Sequence, residues 1–249
     1  MDEQNDNTVE IRDDTHTTID TGKIMSRKKV FDSIMGPYTI ALAKAASKKE
    51  REELNLKRNA TLTYGEIDYT TFAVTIEKII NMYGKPDVGA SGPLGILQSN
   101  GGLFYDLGAG TGKPVIAAAT LHPFDFCTGI ELLEGLHTLS MEAVFSYNSK
   151  GRAVGLDTQC QMIKGDFRDF NVKDWTDGDI VFANSTCYDD GIMDSIANLG
   201  RKLKRGAFVV TISRRLPSIE FEVIENELHK MSWGDATIFI HQKVTEAVI

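Results

Sequence analysis

The sequence predicts an α/β fold: a Rossmann-like sheet of seven mostly parallel strands, with a small helical lobe on its N-terminal side. Three observations carry this reading. The run Phe104-Tyr105-Asp106-Leu107-Gly108-Ala109-Gly110-Thr111-Gly112 is an apolar strand that ends in glycines at alternate positions and passes straight into an apolar helix. Glycine tolerates the positive φ of a tight strand-to-helix turn and lets a ligand approach the bare backbone. Beyond it, short apolar runs alternate with helical patterns, as in a chain that winds a parallel sheet. Four strand ends carry polar residues in order, Asp106, Glu131, Asp166 and Asn184, and open α/β sheets bind ligands at the carboxyl ends of their strands.

Residues 1–22 hold seven acidic residues against one basic (Arg12), a net of −6, with almost no apolar pattern; such a segment is expected to be disordered. Residues 23–100 are the helical lobe. Ile24 to Asn59 reads as two helices broken at Gly36-Pro37, because proline disfavours helix at the residue before it. Val30, Phe31, Ile34 and Met35 give the first apolar face; Ile40, Leu42 and Ala45 begin the second. After Thr63-Tyr64-Gly65-Glu66 comes a helix from Ile67 to Tyr83, apolar at Phe72, Ile76, Ile79 and Ile80 and stopped by Gly84-Lys85-Pro86. A glycine- and serine-rich loop, 87–102, leads into the first strand.

The remaining residues, 101–249, form the core. The pattern gives strand 102–107, helix 114–121, strand 126–130, helix 133–148, strand 160–164, a short helix near 168–175, strand 179–183 and helix 190–203. A strand at 207–212, an amphipathic helix at 218–231 and a strand at 236–241, expected to insert antiparallel, close the chain.

Glycine turns of this kind serve dinucleotides or S-adenosylmethionine. Asp106 tells them apart, since a carboxylate before the first glycine crowds a pyrophosphate but suits an amino-acid ammonium. The dinucleotide fingerprint also needs a different glycine spacing. Glu131, 25 residues past Asp106 and at a strand end, is placed to bond ribose hydroxyls. Asp166 beside Phe167 suits adenine, one accepting from the exocyclic amine and the other stacking on the base. The sequence therefore predicts a class I methyltransferase core with S-adenosylmethionine as cofactor.

The chain has 249 residues, 42% of them hydrophobic, enough to bury one α/β core and an appendage. Without a membrane-length apolar run or a signal-peptide pattern, it is expected to be nuclear or cytoplasmic rather than secreted. Cys127, Cys160 and Cys187 show no paired spacing, and the five histidines pair with no ligand at metal spacing, so no metal is expected. The net charge of −8 is uneven: residues 23–58 hold ten basic against four acidic residues, a net of +6. That segment fits either an anionic partner or a solvated helical face.

Tyr64-Gly65-Glu66, the glycine turn from Asp106 to Gly112, Gly129-Ile130-Glu131, Gly165-Asp166-Phe167 and Val181-Phe182-Ala183-Asn184 together resemble the disruptor-of-telomeric-silencing methyltransferases. These are non-SET lysine methyltransferases that modify a core histone within the nucleosome. The resemblance implies that Tyr64 and its loop, with Glu66, cover the methionine end of the cofactor. Asp106, Gly108, Gly110 and Gly112 would hold the amino-acid part, with Lys113 beside them, Glu131 the ribose, and Asp166 with Phe167 the adenine. It places Asn184 near the methionine moiety at the mouth of a lysine channel and Tyr188 on the channel wall, so these two are the catalytic candidates. An aromatic wall suits a lysine amine by excluding water and holding the cation before deprotonation.

The chain differs from the family pattern at Ile67, at Lys113 and at Ser185-Thr186, and it carries no long basic tail to neutralise DNA phosphates. The implied function is methyl transfer to a protein lysine, with a histone or nucleosome as the named partner and nucleic acid touched only through a nucleosome. A small-molecule methyltransferase of the same fold and a non-catalytic cofactor-binding protein are the alternatives. Asn184-Ser185-Thr186-Cys187-Tyr188 lacks the proline pair of the turn that frames nucleobase and glutamine amines, which argues against those acceptors.

Overall fold

The computed structural model describes residues 19–56, 60–83, 97, 100–231 and 233–248. The disorder expected of the acidic N-terminus lies outside these residues as far as position 18, as does most of the loop before the first strand. Among the described residues, β1 (Leu103–Leu107), β2 (Phe126–Glu131), β3 (Gln159–Lys164), β4 (Ile180–Ala183), β5 (Phe208–Ile212), β6 (Phe221–Met231) and β7 (Gly234–Lys243) form one sheet. Their order is β3-β2-β1-β4-β5-β7-β6. The first five pair in parallel, and β7 inserts antiparallel between β5 and β6. The winding direction reverses between β1 and β4, and that switch point is where such sheets open a crevice.

Helices cover both faces. On one side, α4 (Lys113–Leu121) is buried at every position from Val115 to Leu121, because it lies between the sheet and the N-terminal helices α1 (Thr21–Met35) and α3 (Tyr69–Lys78). A helix apolar all round is stable only in such a sandwich. Phe72 of α3 meets Phe104 of β1 and Phe182 of β4 edge-on, at ring separations of 6.0 and 5.3 Å, the arrangement favoured by aromatic quadrupoles. On the other side, Tyr105, Leu107, Val181, Val209 and Trp175 pack against α6 (Asp190–Gly200). Alternate side chains of each strand thus feed two cores.

Sequence signals for helix ends hold locally. Asp20, Asp68 and Asp189 cap α1, α3 and α6 through side-chain bonds to Lys23 N, Thr70 and Thr71 N, and Ile192 N respectively. Helix α2 (Ile40–Glu53) follows the Gly36-Pro37 break and is capped by Thr39. Helix α5 (Glu134–Lys150) starts behind Leu133, which offers no capping side chain.

Two expected helices are absent. Residues 218–231 do not form an amphipathic helix; Phe221–Met231 is β6, the seventh strand of the sheet. Phe221, Ile224, Leu228 and Met231 trace a helical spacing, yet β6 is an edge strand with a register shift between Val223 and Glu225. The shift breaks the period-2 pattern that would have marked a strand. Residues 168–175 are likewise a chain of turns. The carboxylates of Asp166, Asp169 and Asp174 each accept from the backbone N–H two residues on, and such local bonds compete with helix formation.

Candidate functional site

A cavity of about 370 Å³ opens at the carboxyl ends of β1, β2 and β4, within the usual range for small-molecule sites. Its floor is the turn after β1. Gly108 and Gly110 have φ of +84° and +56°, and a Cβ on either would lie 2.2 Å from the Tyr188 hydroxyl or 2.4 Å from Tyr64 Cε2. Only glycine leaves room for both rings. The roof is the segment Thr61–Ile67 of the helical lobe.

Asp106 is 1% exposed, and its Oδ2 has no hydrogen-bond partner among the described residues. Burial, reinforced by the neighbouring Glu131 carboxylate, pushes its pKa well up. An orphaned buried carboxyl oxygen is costly unless a donor or cation meets it. Glu131 is better served. Its Oε2 accepts from Gly110 N and its Oε1 from Leu133 N, both at 2.7 Å, which binds the glycine turn to the end of β2. Burial still raises its pKa, and these backbone donors work against that rise.

The Asp166 carboxylate is clasped by the Arg168 guanidinium through Nε at 2.9 Å and Nη2 at 2.6 Å. Arg168 holds its pKa below the usual carboxylate range. Phe167 is buried, its ring 6.0 Å from that of Tyr188. The Tyr188 hydroxyl donates to Leu107 O at 2.7 Å, and burial together with Asp106, Glu131 and Asp166 raises its pKa. Tyr188 therefore stays a neutral phenol at neutral pH.

Under the roof, the Tyr64 hydroxyl donates to Glu66 Oε1 at 2.7 Å and lies 2.9 Å from Thr111 Oγ1. Glu66 also forms an ion pair with Lys113 at the start of α4. This network ties the lobe to the glycine turn. Asn184, after β4, donates from Nδ2 to Gly65 O at 3.1 Å and accepts at Oδ1 from Thr186 Oγ1 at 3.2 Å; both ends of its amide are thereby oriented.

The structure brings Tyr64, Glu66, Asp106, Gly108, Gly110, Lys113, Glu131, Asp166, Phe167, Asn184 and Tyr188 around one cavity. Gly112 is the exception. It does not border the cavity but caps α4 and faces Ser140 and Met162. Sequence reasoning missed Arg168, whose signal was only its place two residues after Asp166. It also missed Trp233, which the β6–β7 hairpin turn delivers to the cavity. The Trp233 ring lies 3.5 Å from where a Gly65 Cβ would be. No group of His, Cys, Asp and Glu suited to a metal ion occurs among the described residues.

The sequence profile of the histone methylation protein DOT1 matches residues 96–234, more than half of the chain. The chain belongs to the DOT1 family. It is an S-adenosylmethionine-dependent methyltransferase, and S-adenosylmethionine is its cofactor. The partnerless Asp106 oxygen and the glycine cradle fit that cofactor, whose amino-acid part brings a cationic ammonium. No curated protein matches the chain.

Among solved structures, the DOT1-family chain is similar to the m1A22 tRNA methyltransferase TrmK of Bacillus subtilis (11% identity, TM-score 0.46, 74% of this chain and 68% of that one). It is also similar to a Methanococcus maripaludis protein assigned to the S-adenosylmethionine-dependent methyltransferases (14% identity, TM-score 0.48, 82% and 95%). A third is TrmN of Thermus thermophilus (18% identity, TM-score 0.46, 59% and 45%). Among the described residues no helix is long and apolar enough to cross a membrane.

Proposed function

We propose that this chain transfers a methyl group to a protein lysine, and that a core histone presented on a nucleosome, in the nucleus, is the acceptor to test first. The observation that carries this reading is the cavity wall beside Asn184. The Asn184 amide is fixed between Gly65 O and Thr186 Oγ1, and Tyr64, Tyr188 and Trp233 line the same cavity. Aromatic faces attract an ammonium group and exclude the water that would keep it solvated. Membership of the DOT1 family supports the same acceptor.

When bound, the cofactor supplies a methyl group on a sulfonium sulfur. The residues then divide the work of holding and orientation. Asp106 takes the ammonium of the amino-acid part, which ends the isolation of its Oδ2. Gly108 and Gly110 permit close approach of the chain. Glu131 has lone pairs left for ribose hydroxyls after its two backbone bonds. Asp166, kept ionised by Arg168, accepts from the adenine amine, and Phe167 covers the base. Tyr64, Glu66 and Lys113 close over the methionine end, while Asn184 and Tyr188 border the acceptor path. Because Tyr188 stays protonated and its hydroxyl proton is committed to Leu107 O, it acts as a neutral wall; the amine loses its proton to solvent before it enters the path. Positioning of this kind supplies most of what an in-line displacement needs.

A small-molecule acceptor is the second reading, favoured by the net charge of −8, which repels nucleosomal DNA. Transfer of radiolabelled methyl to free histones, nucleosomes and a whole lysate in parallel separates the two. The expected outcome is label on a histone band, lost in Asn184→Ala while the variant still melts cooperatively. Label confined to the metabolite fraction would overturn the lysine assignment and leave the cofactor site standing.

A further inference from the structure

The start of α5 presents a problem that the helix does not solve itself. Its N-cap position is Leu133, without a capping side chain, so the first backbone N–H groups need partners from elsewhere. Those partners come from the helical lobe. Glu50, 84 residues away on α2, accepts from Glu134 N through Oε1 at 2.7 Å and from Gly135 N through Oε2 at 2.8 Å. A carboxylate at a helix N-terminus also meets the positive end of the helix dipole.

The neighbours are fitted to this contact. The helices are already in close approach here: a Cβ on Gly135 would stand in van der Waals contact with α2, 3.4 Å from Ala46 Cβ and 3.5 Å from Glu50 Oε2. Around it, Ala43 of α2 packs with Leu133 and Leu136, joined by Ala46, Leu62 and Tyr64, in a small apolar cluster apart from the two main cores. The same few residues hold Glu131: Leu133 N donates to its Oε1, one residue before the N–H groups that Glu50 takes. Glu50 is also close enough to add to the upward push on the Glu131 pKa.

We infer that Glu50 is a positioning residue for cofactor binding: it pins the first turn of α5 from the helical lobe and so sets the Leu133 N–H that aims the Glu131 carboxylate. This inference rests on the reading of Glu131 as the ribose ligand. It makes the lobe responsible for two ends of one ligand, with Tyr64 and Glu66 at the methionine end and Glu50 acting behind the ribose. Ordinary helix capping would lower thermal stability alone. Positioning has a further signature, namely a loss of affinity that runs through Glu131 and depends on the ribose hydroxyls.

The test is calorimetric binding of S-adenosylhomocysteine, and of its analogue lacking both ribose hydroxyls, well below the melting temperature. Wild type, Glu50→Ala, Glu50→Gln, Glu131→Ala and the Glu50→Ala/Glu131→Ala double variant are compared. Expected is a loss of roughly five- to tenfold for S-adenosylhomocysteine in Glu50→Ala, a smaller loss in Glu50→Gln, and little change for the analogue. The double variant should bind no worse than Glu131→Ala, because coupled residues are not additive. Unchanged affinity in Glu50→Ala beside a clear loss in Glu131→Ala would overturn the inference, as would losses that multiply in the double variant. Unchanged affinity in Glu131→Ala removes Glu131 from the site, and with it the route proposed for Glu50. Should Glu50→Ala fail to fold, Glu50→Gln, which keeps the size and one acceptor, decides by the same comparison.

Discussion

Asp106 concentrates the conflict between stability and function. Its Oδ2 is buried without a partner, and its carboxyl group is pushed up by burial and by Glu131. A carboxyl whose folded pKa is raised stabilises the folded state below its unfolded pKa and loses that contribution as pH rises through the folded value. The ligand-free protein therefore carries a cost at neutral pH. Asp106→Asn removes the ionisation cost but keeps a buried polar group in the same place, so the melting temperature should rise only modestly, by ~2–4 °C for about 1 kcal/mol at this size. The same variant should lose most of its affinity for S-adenosylmethionine, because the amide cannot neutralise an ammonium. Thermal melts with and without cofactor check both halves; a variant that melts lower in the ligand-free state would show that the carboxylate is not under strain.

The turn after β1 makes a prediction at the scale of an element. Gly110→Ala puts a Cβ at a φ of +56° and 2.4 Å from the Tyr64 ring. Left-handed backbone costs about 1–2 kcal/mol for an L-residue, and Tyr64 must leave its bond to Glu66. Cofactor affinity should fall by roughly tenfold or more, about 1.4 kcal/mol. Gly155→Ala is the control: its φ is +78°, with nothing within 4 Å of the added Cβ, so it should show the backbone cost and leave affinity intact. This turn was legible in the sequence because glycine spacing, strand and helix all pointed one way, and the order of Asp106, Glu131, Asp166 and Asn184 set strand ends around one cavity. β6 was not legible, since its register shift left apolar residues at helical spacing. Trp233 could not be placed while β6 was read as a helix, because only a β6–β7 hairpin turn brings residue 233 back to Gly65. Arg168 and Glu50 were hidden for another reason: their roles are contacts of charged side chains, and charge alone carries no period.

At the scale of the whole molecule, pH stability is expected to hinge on His241, where β5, β7 and the segment after β5 meet. Leu216 N donates to its Nε2 at 3.0 Å, so the ring proton sits on Nδ1, 2.9 Å from Val209 O. Burial lowers its pKa to about 4. The unfolded chain takes up the proton first as pH falls, so the stabilisation is complete above about 6.5 and is lost progressively down to about 4. The loss amounts to about 3 kcal/mol, at 1.36 kcal/mol per unit. Asp106 pushes stability the other way over this range, so the effect is read as a difference: denaturant titrations between pH 7 and 4 should show the wild type losing stability relative to His241→Gln, and equal slopes would exclude His241 as the source. The hairpin that delivers Trp233 has a second consequence, for the behaviour of many molecules together. Among the described residues its outer strand, β6, is a sheet edge, and a flat apolar edge invites another chain to pair with it. β6 presents Glu222, Glu227 and Lys230 to solvent around the exposed Leu228, and its register shift between Val223 and Glu225 bends the strand. Charges and a bend of this kind work against pairing with another chain, so the hairpin whose turn supplies Trp233 to the cavity also disfavours sheet-to-sheet association of neighbouring copies in a crowded solution.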